Sequence, residues 1–443
     1  MRVGIDYKNI WSISYPIILG GLANTLLNLT DTAFVARLGE TELASMALTT
    51  IYYFVVVMIA ISIGTGIQIL MARRAGEGDR VEIGRIFDHG ILILSLGGLS
   101  FALIMHFTTP ALFSSILSSP KIIEASCEYM STRSFGVFFA FITVAFRSFF
   151  IAISQTKVIT VAAILMLVLN AALDYVLIFG KMGFPEMGIQ GAALASVISE
   201  FFSLFFLVAY TAMERDIKEF GLFRFVGLGI TRVRSILHLS SPVVLQNLVS
   251  MGAWFLFFVV IEHMGERELA ISNIIRATYM IMMTPVWGYA AATNSMVSNL
   301  IGQGRQEEVG KLVKRIIKLA LITSGAIFLL MMISPKSILG ISTSDAQLIS
   351  DAMGCYYIIA GSMFLFSVSV ILLSTVSGAG STTAAMVIEV SNIFIYLAYV
   401  YLCAIILKSS IEWVWFSEAF YWVMMGLFSW LYLRTGKWKG VKI

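Results

Sequence analysis

PIILGGLANTLLNLTDTAFVARLGETELA, residues 16–44, is answered 226 positions later by PVVLQNLVSMGAWFLFFVVIEHMGERELA, residues 242–270. Pro16 meets Pro242, Gly39 meets Gly265 and GETELA meets GERELA, all without a gap. Further along, Gly76 and Gly78 fall on Gly302 and Gly304, EIGR (82–85) on EVGK (308–311), and Thr156 on Thr382. Chance likeness between apolar segments does not match prolines, glycines and charges at one offset. The chain is therefore a duplication.

Its composition says in what solvent the duplicated unit lives. The 443 residues are 58% hydrophobic and 13% charged, with a mean hydropathy of +0.89. Ordinary soluble proteins carry roughly 25% charged residues. With 30 basic against 26 acidic residues the net charge is only +4, which offers nothing to a nucleic acid, and the apolar content excludes disorder. Cys127, Cys355 and Cys403 stand far apart in apolar runs, with no paired spacing for a metal or a disulfide framework. The start, MRVGIDYKNIWSISYPIILGGL, has no small-residue cleavage site and reads as an uncleaved first helix.

A span across a hydrocarbon core of roughly 30 Å needs about 20 apolar residues. Twelve such segments can be drawn: 10–36, 43–72, 86–108, 124–153, 158–180, 188–212, 235–263, 268–299, 312–334, 346–377, 383–407 and 411–433. Continuous apolar runs are helices, since barrel strands would be about 10 residues long and alternate. An even count puts both termini on one side. On that side, counting loops and the adjoining end of the 312–334 span, lie 21 of the 30 basic residues and on the opposite side 6, while Arg133, Arg147 and Arg276 fall deeper within spans. The positive-inside rule makes the terminal side cytoplasmic. The expected architecture is an all-α polytopic membrane protein, with an N-terminal six-helix lobe over 1–213, a cytoplasmic linker over 214–234 and a C-terminal six-helix lobe over 235–443. Even-numbered repeats keep the same orientation, so the lobes should be related by a pseudo-two-fold axis along the membrane normal.

An acidic side chain at mid-membrane costs at least about 2.5–3.5 kcal/mol, so each one demands a reason. Gly20, Asn24, Asn28 and Asp31 recur at steps of four, four and three and share a face of the first helix, expected to look inward. Asn170 and Asp174 are one turn apart in the fifth span; Ser196, Ser199 and Glu200 share a face of the sixth. Convergent oxygens with two carboxylates suit a hard monovalent cation or a carried proton, and equally suit a buried hydrogen-bond network. At the offset, the second lobe has Ser250, Trp254 and Phe257 for Asn24, Asn28 and Asp31, and Tyr396 and Val400 for Asn170 and Asp174. The acid-rich site thus belongs to the first lobe. Glu389 shares a face with Asn392 and Tyr396, as a second protonatable site, a cation-attracting wall residue or a structural hydrogen-bond acceptor. Pro16 and Pro242 each remove a helical hydrogen bond and allow a kink.

These residues resemble those of the multidrug and toxic compound extrusion (MATE) family over essentially the whole chain. The likeness rests on residues 16–44, on the GxG loop with EIGR, and on LNAALDYVLIFGKMGFPEMGIQGAALAS (169–196). The DinF-like branch is the most similar, through its Asp in the first helix and Asn-x-x-x-Asp in the fifth. The resemblance implies twelve helices in two lobes, antiport of amphipathic, often cationic compounds against inward H+ or Na+, a cation site of Asp31, Asn170 and Asp174, and a hydroxyl from Ser196. The mid-membrane Glu of the NorM-like seventh helix has no counterpart here, since Glu262 lies near the helix end. Glu389 matches neither pattern.

The expected function is a secondary active exporter in the plasma membrane, working by alternating access as a monomer, with small organic substrates, the coupling ion H+ or Na+ and no other cofactor. The alternative is a lipid-linked or glycolipid flippase, for which three intramembrane arginines are a sparse phosphate lining. No HExxH and no GxxxxGK[ST] loop supports an enzyme, and His89, His106, His238 and His263 are scattered. The topology predicts that Val226→Cys, in a background lacking the three native cysteines, is labelled by an impermeant maleimide only from the cytoplasmic side; labelling from outside would overturn the loop assignment.

Overall fold

A computed structural model describes every residue except Met1, Leu228, Ser344 and Lys442, the last of which was counted among the basic loop residues. The helices are α1 (Tyr7–Val35), α2 (Glu40–Glu77), α3 (Arg80–Ile116), α4 (Pro120–Arg133), α5 (Gly136–Ala152), α6 (Lys157–Ile178), α7 (Gly188–Met213), α8 (Arg215–Lys218), α9 (Ile230–Glu262), α10 (Glu266–Gly302), α11 (Val309–Ile333), α12 (Pro335–Leu339), α13 (Ala346–Gly378), α14 (Thr382–Tyr401) and α15 (Ile411–Arg434). Ten of these, among the described residues, are by themselves long and apolar enough to cross a bilayer, and α4 with α5, bent by 47°, make an eleventh span. The twelfth is α15, whose 24 residues carry Glu412 and Glu418 among Trp, Phe and Tyr and so lie below the hydropathy of the rest. The helices outrun the apolar segments: α2 has 38 residues, about 57 Å at 1.5 Å per residue, because no Pro interrupts it and its buried Gly64, Gly66 and Gly76 stay helical up to the left-handed Gly78. Residues 124–153, expected as one uninterrupted span, break at Ser134–Phe135.

The duplication extends to backbone conformation. Gly39 and Gly265, which precede α2 and α10, both have φ 152°, and Gly78 and Gly304 both turn left-handed after those helices. Ser154 and Gly380 match at φ 65° and 91°, and Met182 and Lys408 at 56° and 48°. Those last two pairs also lie 226 apart, so the repeat persists where the side chains no longer resemble each other.

Two compact units are formed, Leu19–Ser241 and Arg2–Ile18 with Pro242–Ile443. The opening turns of α1 thus belong with the second unit and those of α9 with the first, and each boundary falls next to the proline inside that helix, Pro16 or Pro242.

In the first unit, Phe87, Phe146, Phe149, Phe220 and Phe223 meet edge to face or tilted, with ring centroids 5.3–6.2 Å apart. That core anchors the linker. The Asp88 carboxylate accepts from the backbone N–H of Phe223 (2.7 Å) and Phe225 (2.8 Å), two left-handed residues at φ 60° and 52°. His89 Nε2 accepts from the Gly229 N–H (3.0 Å), and Arg232 donates to both oxygens of Glu82 (2.6 and 2.9 Å). A Cβ on Gly84 would stand 1.9 Å from the Phe220 carbonyl oxygen, so the linker lies directly on the α3 backbone. In the second unit, Asn299 Oδ1 accepts from Val3 N–H (3.1 Å) and Arg315 donates to the Ile5 carbonyl (2.8 Å), fixing the lead-in to α1.

Asp88→Ala is expected to lower stability by roughly 1–3 kcal/mol, because two part-buried backbone donors lose their charged acceptor together. The loss should register as a lower Tm in detergent with proteolysis concentrated at 219–229, and an unchanged Tm would show that the strained linker is held by other means.

Candidate functional site

Three helices of the first unit bring the expected residues together. Asp31 stands near the end of α1, Asn170 and Asp174 one turn apart on α6, and Ser196 on α7, and all four side chains are buried. The crossing of α6 and α7 is close because Gly191 has no side chain: a Cβ there would lie 2.7 Å from the Leu177 backbone. Ser196 Oγ donates to Asp31 Oδ2 at 3.4 Å, and the Asp174 carboxyl lies within hydrogen-bonding reach of Asp31.

What distinguishes the cluster is what it lacks. Asp31 Oδ1, both Asp174 oxygens and both polar atoms of the Asn170 amide are buried with no hydrogen-bond partner among the described residues. An orphaned buried polar atom costs about 1–3 kcal/mol, and an ionised one more. Two carboxyls facing each other out of water cannot both stay charged without a positive partner. The set can therefore share a proton or collect a monovalent cation, with Asn170 Oδ1 and Ser196 Oγ as further oxygen donors. The rest of the expected stripe parts from it, because Asn24 and Asn28 are exposed while Asp31 is buried. Gly20 is buried against Thr160 and Ala163 of α6.

Glu200, one turn beyond Ser196, belongs to a different arrangement. Arg133 clamps its two oxygens at 2.7 and 2.9 Å, the Tyr53 hydroxyl donates to the same carboxylate at 3.0 Å, and the guanidinium lies 3.7 Å from the Tyr53 ring centroid. The carboxylate is thus compensated. Sequence reasoning registered Arg133 only as an intramembrane base, since a pairing between α4 and α7 has no local signature.

The second unit holds two buried acids. Glu389 accepts from Gln246 Nε2 (2.8 Å), Ser250 Oγ (2.5 Å) and the Tyr421 hydroxyl (3.2 Å). Glu418, on α15, was passed over in the sequence. It accepts from the hydroxyls of Tyr279 (2.8 Å) and Tyr396 (3.2 Å), and Tyr279 accepts in turn from Trp422 Nε1 (2.8 Å). An indole N–H can only donate, so the Tyr279 hydroxyl is left to donate to Glu418. Two signals were available: an acid inside the apolar run FSEAFYW, and Tyr279, which sits 226 positions after Tyr53. Both tyrosines donate to a glutamate on the last spanning helix of their unit, partly buried at Glu200 and buried at Glu418. Glu262 and His263 are exposed at the end of α9.

Comparison with known proteins follows the same lines. The family model MatE matches residues 16–176 and again 242–402, two stretches offset by 226. Among curated relatives, a probable multidrug resistance protein NorM from Rhizobium meliloti is 28% identical over 66% of this chain and 62% of its own length; one from Agrobacterium fabrum is 27% identical over 67% and 64%. The matched stretch thus spans less than two thirds of either relative. For the NorM of Thermotoga maritima the match is 25% over 87% of this chain and 83% of that one. Among solved structures, a MOP superfamily transporter from Pyrococcus furiosus has a TM-score of 0.90 at 20% identity, covering 98% of this chain and 96% of that one. A MATE in the straight conformation gives 0.89 at 21% over 98% and 96%, and one in the bent conformation 0.86 at 21% over 96% and 94%. These likenesses show the fold.

Tyr279→Phe removes the hydroxyl that links Trp422 to Glu418 and is expected to cost about 1–3 kcal/mol. Tyr53→Phe should cost less, because Arg133 still holds Glu200. Thermal unfolding in detergent reads both, and equal losses would contradict the difference in compensation.

Proposed function

The chain belongs to the MatE family, and from that premise we propose that it is a secondary active exporter in the plasma membrane with both termini cytoplasmic. In this reading it exchanges amphipathic, often cationic organic compounds for inward H+ or Na+. The observation that carries the reading is the facing pair of Asp31 and Asp174, buried with partnerless oxygens beside Asn170 and Ser196. A group of that kind has two states of similar energy, loaded and empty, and the energy of each depends on how tightly α1, α6 and α7 close around it. Loading neutralises the pair and lets the helices pack; release restores the charge and favours hydration. The prolines inside α1 and α9, near the unit boundaries, supply places where those helices can bend as the aspartate site changes its exposure. The names of the multidrug relatives support the substrate class.

The test is uptake of a fluorescent organic cation by purified protein in liposomes, under an imposed Na+ gradient and then an imposed H+ gradient. Transport driven by one gradient and lost at least about a hundredfold in Asp31→Asn, with the variant folded and inserted, is the expected result. Undiminished transport in that variant would remove Asp31 from the mechanism. Absence of transport under both gradients by folded protein would favour a lipid flippase, to be followed by a scrambling assay.

A further inference from the structure

Three carboxylates of the first unit lie in one neighbourhood, the buried Asp31 and Asp174 and the partly buried Glu200, with one guanidinium, that of the partly buried Arg133. Neither the sequence pattern nor the family comparison assigns Arg133 a task. The Arg133–Glu200 pair is held rigidly from several sides. Tyr53 lies against the guanidinium face and donates to the carboxylate, and a Cβ on Gly136 would stand 2.2 Å from Arg133 Nη1 and 2.5 Å from Glu200 Oε2. The pair is also adjacent to the aspartates. Glu200 follows Ser196 by one turn of α7, about 6 Å, and Ser196 bonds Asp31. One turn before Arg133 on α4 is the buried Tyr129, in electrostatic reach of Asp31, Asp174, Glu200 and Arg133 together.

We propose that Arg133 is a positioning residue for cation coupling: clamped by Glu200, it is withheld from the Asp31–Asp174 pair, and the clamp thereby sets how tightly that pair holds the coupling cation. The proposal rests on the coupling reading of the aspartates. Its logic is charge arithmetic. With both partners present the clamp is neutral and the aspartates must draw their positive partner from outside. Without Arg133, Glu200 becomes a third uncompensated negative charge, and the site binds its cation more tightly. Without Glu200, the guanidinium turns to the aspartates and competes with the cation. The ionisable groups facing the pair are Asp31 on α1, Tyr53 on α2, Tyr129 on α4 and Asp174 on α6; α5 contributes none there except Arg147, further along the helix.

The experiment measures the cation concentration, Na+ or H+, that gives half-maximal organic-cation uptake into liposomes. Arg133→Gln is expected to lower it and Glu200→Gln to raise it, each roughly tenfold, the order for one unit charge a turn or two away at an effective dielectric of about 20. The double variant should return to within about threefold of the unmodified protein. A purely structural role would lower Tm and maximal rate but would not move the half-maximal concentration in opposite directions. Shifts of the same sign, no shift, or a double variant no closer to the parent than the singles would overturn the proposal. Arg133→Lys is the arm least prone to misfold: it keeps the charge, so a half-maximal concentration within about threefold of the parent supports the inference, and a tenfold shift overturns it. Asp31→Asn, run alongside, separates the two readings, since retained transport there refutes coupling at the aspartates whatever Arg133 does.

Discussion

The polar interior of the first unit is constrained by two carboxyls, Asp31 and Asp174, that are held out of water without a compensating charge. Lipid supplies no compensation for a charged group, so each such group needs a partner from the protein or from a passing ion. The unit has both solutions side by side. Glu200 receives a bidentate guanidinium and a tyrosine hydroxyl, and its charge is settled. Asp31 receives one long hydroxyl contact, and its other oxygen and both oxygens of Asp174 have no donor among the described residues. The contrast between a settled and an unsettled charge, one helical turn apart, is the observation on which the proposed coupling site rests.

The second unit treats its acids differently again. Glu389 and Glu418 are buried among neutral donors, three on the first and two on the second, and most of those donors are aromatic hydroxyls or face aromatic rings. No basic side chain occurs in α9 beyond Pro242, in α14, or in α15 before Arg434. Duplication thus conserved the frame and let the polar interior diverge. The frame is conserved down to left-handed residues at equivalent positions, where Ser154 takes the conformation that Gly380 takes in the second copy. A turn conformation is dictated by how the chain must reverse between two helices, and that requirement outlasts the identity of the residue.

The linker shows a related economy. Asp88, buried on α3, satisfies two backbone donors in left-handed phenylalanines, and the ring of one of them, Phe223, packs against the aromatic core that α3 and α5 already form. The strain of two bulky residues at positive φ is sustained because the carboxylate holds both N–H groups there and the core holds the Phe223 ring. The segment that leads into α9 is therefore part of the first unit's structure and no loose tether.

The sequence by itself determined the number of repeats, the helical class, the approximate spans and the presence of Asp31, Asn170 and Asp174 as polar groups in an apolar environment. It could do so because a bilayer imposes length and apolarity locally, and because a constant offset of 226 is visible without any coordinates. Helix faces were only half legible: the stripe of Asn24, Asn28 and Asp31 shares a face by periodicity, yet only Asp31 is buried, since burial depends on which helix lies opposite. The tertiary structure alone decided that Arg133 belongs to Glu200, that Glu418 belongs to Tyr279, and that the opening turns of α1 and α9 each join the other copy's unit. Those are pairings across 67, 139 and more than 200 residues, set by helix packing geometry, and no local pattern of side chains encodes them.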